Sequence, residues 1–253
     1  MDDLFDLHGR VAVVTGASSG LGQRFARVLH AKGASVVLAA RRVDRLERLV
    51  EELGAERAMA LRCDVAVESD VVSLVGQAVA RFGTVDVMVN NAGISSPVPA
   101  EEEPTDDFRR VVDVNLVGLF VGCREAAKVM LEHGSGSIVN VASVLGLVGS
   151  GRVKQASYAA TKTAVVGLTR ELAAQWARRG VRVNAIAPGW FVTEMTDELF
   201  GNERGVDFVR RGTPMGRPGA EHELDGLLLL LASDASTYVT GQTIAVDGGW
   251  TIV

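Results

Sequence analysis

An α/β fold, a doubly wound seven-stranded parallel sheet with helices on both faces, is predicted by three features of the 253-residue sequence. Strand-length apolar runs alternate with helix-length amphipathic stretches, the pattern of successive βαβ units. The strand runs are rich in valine and show little polar alternation, so both sheet faces are expected to be covered. A glycine-rich turn joins the first apolar run to the first amphipathic stretch, where an open parallel sheet receives its ligand.

Strands are expected at 11–15, 35–40, 58–62, 85–90, 137–142, 182–187 and 243–246. Between them, 21–32, 45–53, 68–82, 106–133, 156–179 and 224–231 carry apolar residues at helical spacing. No linker, compositional break or internal repeat divides the chain, so a single domain over residues 1–253 is expected. The least regular stretch is 193–218, charged and punctuated by Gly201, Gly205, Gly212, Pro214 and Pro218, and it is expected to be a substrate lid.

Composition narrows the class. Apolar residues make up 47% and charged residues 23%, as in a packed globular protein. The 28 glycines accompany only 6 prolines, so they do not form a low-complexity linker. A net charge of −5 gives no basic field for nucleic acid or an anionic membrane. The longest aliphatic run, 227–232, falls far short of the ~18–20 residues that span a bilayer. The acidic start, with Asp2, Asp3 and Asp6, is unlike a signal peptide, and a cytoplasmic location is expected. Cys63 and Cys123 lack the spacing of a disulfide framework or zinc site. His8, His30, His133 and His222 are scattered, so no metal site is expected. Glu101, Glu102 and Glu103 ahead of Pro104 read as a solvated turn before a helix.

The first strand leads into Thr15-Gly16-Ala17-Ser18-Ser19-Gly20-Leu21-Gly22 and then a helix. Glycines there let the backbone approach a pyrophosphate, whose charge is met by N–H groups at the helix N-terminus. The spacing G-x-x-x-G-x-G differs from the commoner G-x-G-x-x-G. The second strand ends Ala39-Ala40-Arg41-Arg42, with Ala40 where NAD-specific folds place an acid for the ribose hydroxyls. A nearby arginine pairs instead with a 2′-phosphate.

Tyr158 and Lys162 stand four residues apart in a helical stretch and therefore share a face. A neighbouring ammonium favours phenolate, which is expected to lower the tyrosine pKa and suit it to proton transfer. Ser143 lies at the end of the fifth strand, at the carboxyl edge of the sheet, where its hydroxyl can bond a substrate oxygen.

These residues, with Asn90-Asn91-Ala92-Gly93, Asp64-Val65, Pro188-Gly189 and Thr193, resemble the motifs of the short-chain dehydrogenase/reductase family from Gly9 to Trp250. The resemblance implies a Rossmann fold and an NAD(P)-dependent enzyme acting on CH–OH donors. It implies Asn115, Ser143, Tyr158 and Lys162 as the catalytic set, with Asn115 in a proton relay through Lys162. Gly16, Ser18, Ser19, Gly20, Leu21, Arg41, Arg42, Asp64 and Val65 are expected to hold the adenosine and diphosphate part of the cofactor. Asn91, Ala92, Gly93, Tyr158, Lys162, Pro188, Gly189, Val192 and Thr193 are expected on its nicotinamide side. Arg41 favours NADP(H). NAD(H) is the alternative, because Ser19 stands where many NADP-preferring members carry a second basic residue. A homotetramer, or a homodimer, is implied through 106–133 and 156–179.

The substrate pocket is expected to use Ser143, Val144, Leu145, Tyr158, Trp190 and Phe191, with a 144–157 loop longer than in many members. The expected reaction interconverts a small secondary alcohol and a ketone, or an alcohol and an aldehyde, as in a carbonyl reductase. The residues leave open a 3-oxoacyl-thioester reductase, or an NAD-dependent sugar, polyol or steroid dehydrogenase. From other classes they leave open a catalytically inactive dinucleotide sensor and a methyltransferase sharing the glycine turn.

Overall fold

The computed structural model describes residues 4–253. Seven parallel strands form one sheet: β1 (Val11–Thr15), β2 (Ser35–Ala40), β3 (Ala58–Arg62), β4 (Val87–Asn90), β5 (Gly136–Val141), β6 (Val181–Pro188) and β7 (Thr243–Val246). Their order is β3-β2-β1-β4-β5-β6-β7, so the winding reverses between β1 and β4. At that reversal the connections leave on opposite faces and open a crevice beyond the strand ends.

Alternation along the strands divides the core in two. Val11, Val13, Val37, Met88, Ile138 and Val183 face α3 (Glu68–Phe82), α5 (Gly118–His133) and α6 (Ala156–Trp176). Ala12, Val14, Val36, Leu38, Val139 and Ile186 face α1 (Gly20–Ala31), α2 (Val43–Leu53) and α9 (Asp225–Ala232). Adjacent residues of one strand thus enter opposite cores, which is why the strand sequences are apolar without interruption. Among the described residues, no helix is long and apolar enough to cross a membrane.

The structure changes three expected elements. The 106–133 helix is interrupted: α4 (Thr105–Val112) passes through a π-helical turn, Asp113–Val117, into α5. A wide turn of this kind inserts a residue without breaking the helix, a change that apolar periodicity does not register. The 193–218 segment is more regular than expected, with a 3₁₀ turn (Glu194–Thr196), α7 (Asp197–Phe200) and α8 (Glu203–Gly212). The Asn202 side chain caps α8 by accepting from Gly205 N at 2.9 Å, and Val209 anchors it in a buried apolar cluster. β4 begins at Val87 rather than at 85.

Candidate active site

A cleft of about 400 Å³ follows the carboxyl ends of the strands. Gly16, Ser18, Ser19, Gly20, Leu21, Arg41, Arg42, Asp64 and Val65 line one end. Asn91, Ala92, Gly93, Ser143, Tyr158, Lys162, Pro188, Gly189, Phe191 and Thr193 line the rest.

The glycine turn owes its shape to contacts with the chain after β4. Thr15 Oγ1 accepts from the backbone N–H groups of Asn91 and Ala92, both at 3.1 Å. Asn91 Nδ2 donates to the Thr15 carbonyl at 2.9 Å. A Cβ on Gly22 would lie 2.3 Å from the Gly16 carbonyl oxygen and 2.4 Å from Asn91 Nδ2, so this junction admits only glycine. Gly16 adopts a φ of +67°, which side chains disfavour. Behind this junction, Asn90 Nδ2 donates to Asn140 Oδ1 at 3.0 Å, and Asn140 Nδ2 donates to Thr169 Oγ1 at 3.1 Å, a buried network tying β4, β5 and α6.

The N-terminus of α1 opens into the cleft with no acidic residue in its first turn and no side-chain cap from Ser19. The first N–H groups of a helix have no partner within it, so these amides and the helix dipole fit a diphosphate. Thr193 lies across the same turn, its Cβ 3.3 Å from where a Cβ on Gly20 would sit. At the adenosine end, Arg42 donates to Ser18 Oγ and Ser19 Oγ, and Arg41 Nη1 is 4.0 Å from Asp64 Oδ2.

At the other end, Tyr158 and Lys162 project from the first turns of α6, and Ser143 follows β5. Lys162 Nζ lies 5.5 Å from the Tyr158 ring centroid. Burial lowers the Lys162 ammonium to about 8. Tyr158 is raised by burial, partly offset by its hydrogen bond with Ser143. The expected lowering of the tyrosine is therefore not present in the protein alone, because desolvation of the phenolate outweighs the help from Ser143. Ser143 Oγ also accepts from Leu145 N at 3.1 Å, which fixes its position.

Asn115 stands in the π-helical turn, fully buried behind the cleft wall. Its Oδ1 accepts from Ile94 N at 2.8 Å, and its Nδ2 donates to Ile94 O at 2.9 Å and to Thr161 Oγ1 at 3.3 Å. It makes no bond to Lys162. Both groups nevertheless flank Gly93: a Cβ there would lie 3.4 Å from Asn115 Oδ1 and 3.6 Å from Lys162 Nζ.

Several expected positions lie elsewhere. Val144, Leu145 and Trp190 are off the lining of this cleft; they form an apolar cluster with Val209, against which Tyr158 packs. Trp190 packs edge-on against Phe208 and Trp250, at centroid distances of 5.8 and 5.3 Å. Val192 is half exposed and also lies off the cleft lining. Conversely, Ile94 and Val114 line the cleft without having been expected there, and Glu194, Met195 and Thr196, expected as part of the lid segment, line it as well. Of these, Thr196 had a local signal: with Thr193 it forms a reciprocal capping pair over the 3₁₀ turn. Glu103, read as solvated, accepts a hydrogen bond from buried Ser157 next to Tyr158.

Residues 16–251 match the family model described as Enoyl-(Acyl carrier protein) reductase. The chain is 42% identical over 247 residues to cis-4-hydroxycyclohexanecarboxylate dehydrogenase of Sinomonas cyclohexanicum, covering 96% of this chain and 97% of that protein. It is 42% identical over 249 residues to galactitol 2-dehydrogenase (L-tagatose-forming) of Cereibacter sphaeroides, covering 98% of each. It superposes with a TM-score of 0.94 and 38% identity on a gluconate 5-dehydrogenase from Burkholderia cenocepacia J2315, solved with NADP and tartrate, covering 99% of this chain and 98% of that one. With its glycine turn, its Tyr158–Lys162 pair and likeness along almost its full length, the chain belongs to the short-chain dehydrogenase/reductase family.

Proposed function

We propose that the chain is an NADP(H)-preferring oxidoreductase that interconverts a secondary alcohol and a ketone. The carrying observation is that Ser143, Tyr158 and Lys162 share one end of a cleft whose other end presents a helix N-terminus and Arg41 and Arg42. When bound, the nicotinamide cofactor supplies or accepts the hydride at the substrate carbon. In the reducing direction, the Ser143 hydroxyl donates a hydrogen bond to the carbonyl oxygen as negative charge grows there. Tyr158 Oη gives its proton to that oxygen as the C=O π bond opens, and the phenolate formed lies beside the Lys162 ammonium. Asn115 holds the Ile94 backbone and thereby the wall beside Lys162. In oxidation the same groups act in reverse, Tyr158 taking the alcohol proton.

The substrate class is a polyol or hydroxy acid, a reading supported by the relatives' names and by a polar catalytic end set against the Trp190 cluster. Residues 193–218 act as the lid over it: Arg152, on the 144–157 loop, stacks over the Phe208 ring of α8 at 5.7 Å, joining the two segments expected to close on substrate. The chain functions as a single cytoplasmic domain and as a homo-oligomer. Exposed Phe108, Val117 and Phe120 on the α4–α5 side support that assembly. Sedimentation showing only monomer at micromolar concentration overturns the oligomer.

The function is tested by following absorbance of the reduced nicotinamide, with NADP⁺ and NAD⁺ in parallel, across polyols, aldonic acids and hydroxycyclohexane acids. A 3-oxoacyl thioester with NADPH serves as a further arm. Turnover of a polyol or hydroxy acid, faster with NADP⁺, is expected. Turnover of the thioester alone shifts the reading to acyl-chain reduction, and no turnover of any substrate with either cofactor overturns it.

A further inference from the structure

Glu194 was expected only as part of the substrate lid, yet its carboxylate joins two parts of the cleft that lie far apart in sequence. It belongs to the 3₁₀ turn that begins the 193–218 segment. Arg42 and Arg45, at the turn from β2 into α2, are its partners. Arg42 Nη1 donates to Glu194 Oε2 at 2.9 Å, and Arg45 Nη1 donates to the other oxygen. Arg42 is committed on its remaining edge as well: Nε reaches Ser18 Oγ at 3.2 Å, and Nη2 reaches Ser19 Oγ at 2.8 Å. Every nitrogen of that guanidinium therefore has an acceptor within the protein.

A 2′-phosphate on the adenosine ribose needs the same donors. A phosphomonoester carries about −1.5 to −2 charges near neutrality and takes arginine forks in paired hydrogen bonds. Arg41 is engaged only loosely, at 4.0 Å from Asp64, and remains accessible to it. Arg42 and Arg45 are not accessible in the same way, because a carboxylate of the protein already occupies them. The unphosphorylated nucleotide asks nothing of these donors and leaves the Glu194 pairing in place.

We propose that Glu194 sets cofactor selectivity, its carboxylate competing with the cofactor 2′-phosphate for Arg42 and Arg45. This rests on the nicotinamide-cofactor reading above and adds to it a residue that weakens discrimination against the unphosphorylated form. It also gives the two cofactors different consequences. NADP(H) displaces Glu194 and releases the start of the lid segment from α2, whereas NAD(H) leaves the segment pinned.

The test uses two probes that differ only by the phosphate, adenosine 2′,5′-bisphosphate and 5′-AMP, titrated calorimetrically into wild type, Glu194→Gln and Glu194→Ala. No turnover is needed. Both variants are expected to raise the preference for the bisphosphate by about tenfold, with 5′-AMP affinity changed less than about twofold. An unchanged or reduced preference overturns the proposal, as does an equal change for both probes, which marks Glu194 as a strap over any bound nucleotide. Wild type that binds neither probe overturns the cofactor reading and this proposal with it. Wild type that binds both, with variants that keep the same preference, overturns the proposal alone.

Discussion

Lys162 Nζ donates to the Val141 carbonyl oxygen at 2.7 Å, so the ammonium of α6 is fastened to the last residue of β5. The bond fixes the lysine at the strand end, two residues from Ser143 in sequence and beside the Tyr158 ring. The lysine of α6 is thereby held at the strand end by a main-chain acceptor that mutation cannot remove.

Replacing Tyr158 with Phe removes the hydroxyl placed to move a proton at the substrate oxygen while keeping the ring that packs there. We expect kcat to fall by about 10²–10⁴-fold. NADPH affinity should remain within about twofold, since the glycine turn, the α1 N-terminus and the ring of the substituted residue are unchanged. Turnover within tenfold of wild type, measured at saturating cofactor, would remove Tyr158 from the mechanism.

Burial lowers Lys162 from its ordinary value of 10.5 to about 8, so the folded protein binds this proton less tightly than the unfolded chain. The unfolded state therefore holds more protons between pH 8 and 10.5, and stability rises with pH across that window. Below pH 8 the penalty is fully present, on the order of 3 kcal/mol. Urea unfolding of wild type and Lys162→Met at intervals from pH 7 to 10.5 should show wild type gaining on the variant as pH rises. A constant difference between them contradicts a depressed lysine.

Gly22→Ala drives a methyl group onto the Gly16 carbonyl and the Asn91 amide. Overpacking of this kind costs about 1–3 kcal/mol, and here the atoms that must yield are the diphosphate turn itself. A lowered Tm and a loss of 5′-AMP binding are expected together. A variant with wild-type Tm and nucleotide affinity would show that the turn tolerates a side chain.

Asn115→Ala leaves the Ile94 N–H and carbonyl without their partners. An unsatisfied group costs about 1–3 kcal/mol when buried and less at the part-buried Ile94, so a measurable drop in unfolding free energy should accompany loss of activity. Activity lost at unchanged stability would point to a direct chemical role in place of the positioning one.

The parallel sheet was legible because its strands are apolar on both faces and its helices are not. The glycine turn, Asp64, Asn91, Ser143, Tyr158 and Lys162 line one cleft, and their shared position could be read from sequence because they fall at strand ends and along one helix face. Trp190, Val144 and Leu145 stand in the apolar cluster against which Tyr158 packs, and an aromatic or aliphatic residue reads alike in sequence whether it lines a cavity or supports the lining. The pairing of Glu194 was invisible for a different reason: its partners lie about 150 residues earlier, and nothing local marks a carboxylate that pairs across a cleft. The rise in the Tyr158 pKa was missed because pairing with Lys162 was weighed and the burial of both groups was not.

The widened turn at Asp113–Val117 also sets the rotational phase of α5. Each residue advances an α-helix by about 100°, so removing one from this turn would rotate α5 by that amount relative to α4. Gly118 now meets the Val65 carbonyl and Gly122 meets Asn90, contacts with no room for a Cβ. After such a rotation, Leu119 would face the Val65 carbonyl and Cys123 the Asn90 side chain instead. A designer who straightened this segment into an ideal helix would improve its local hydrogen bonding and unseat the whole of α5. For this helix, one residue of apparent irregularity is a register mark that the cleft depends on.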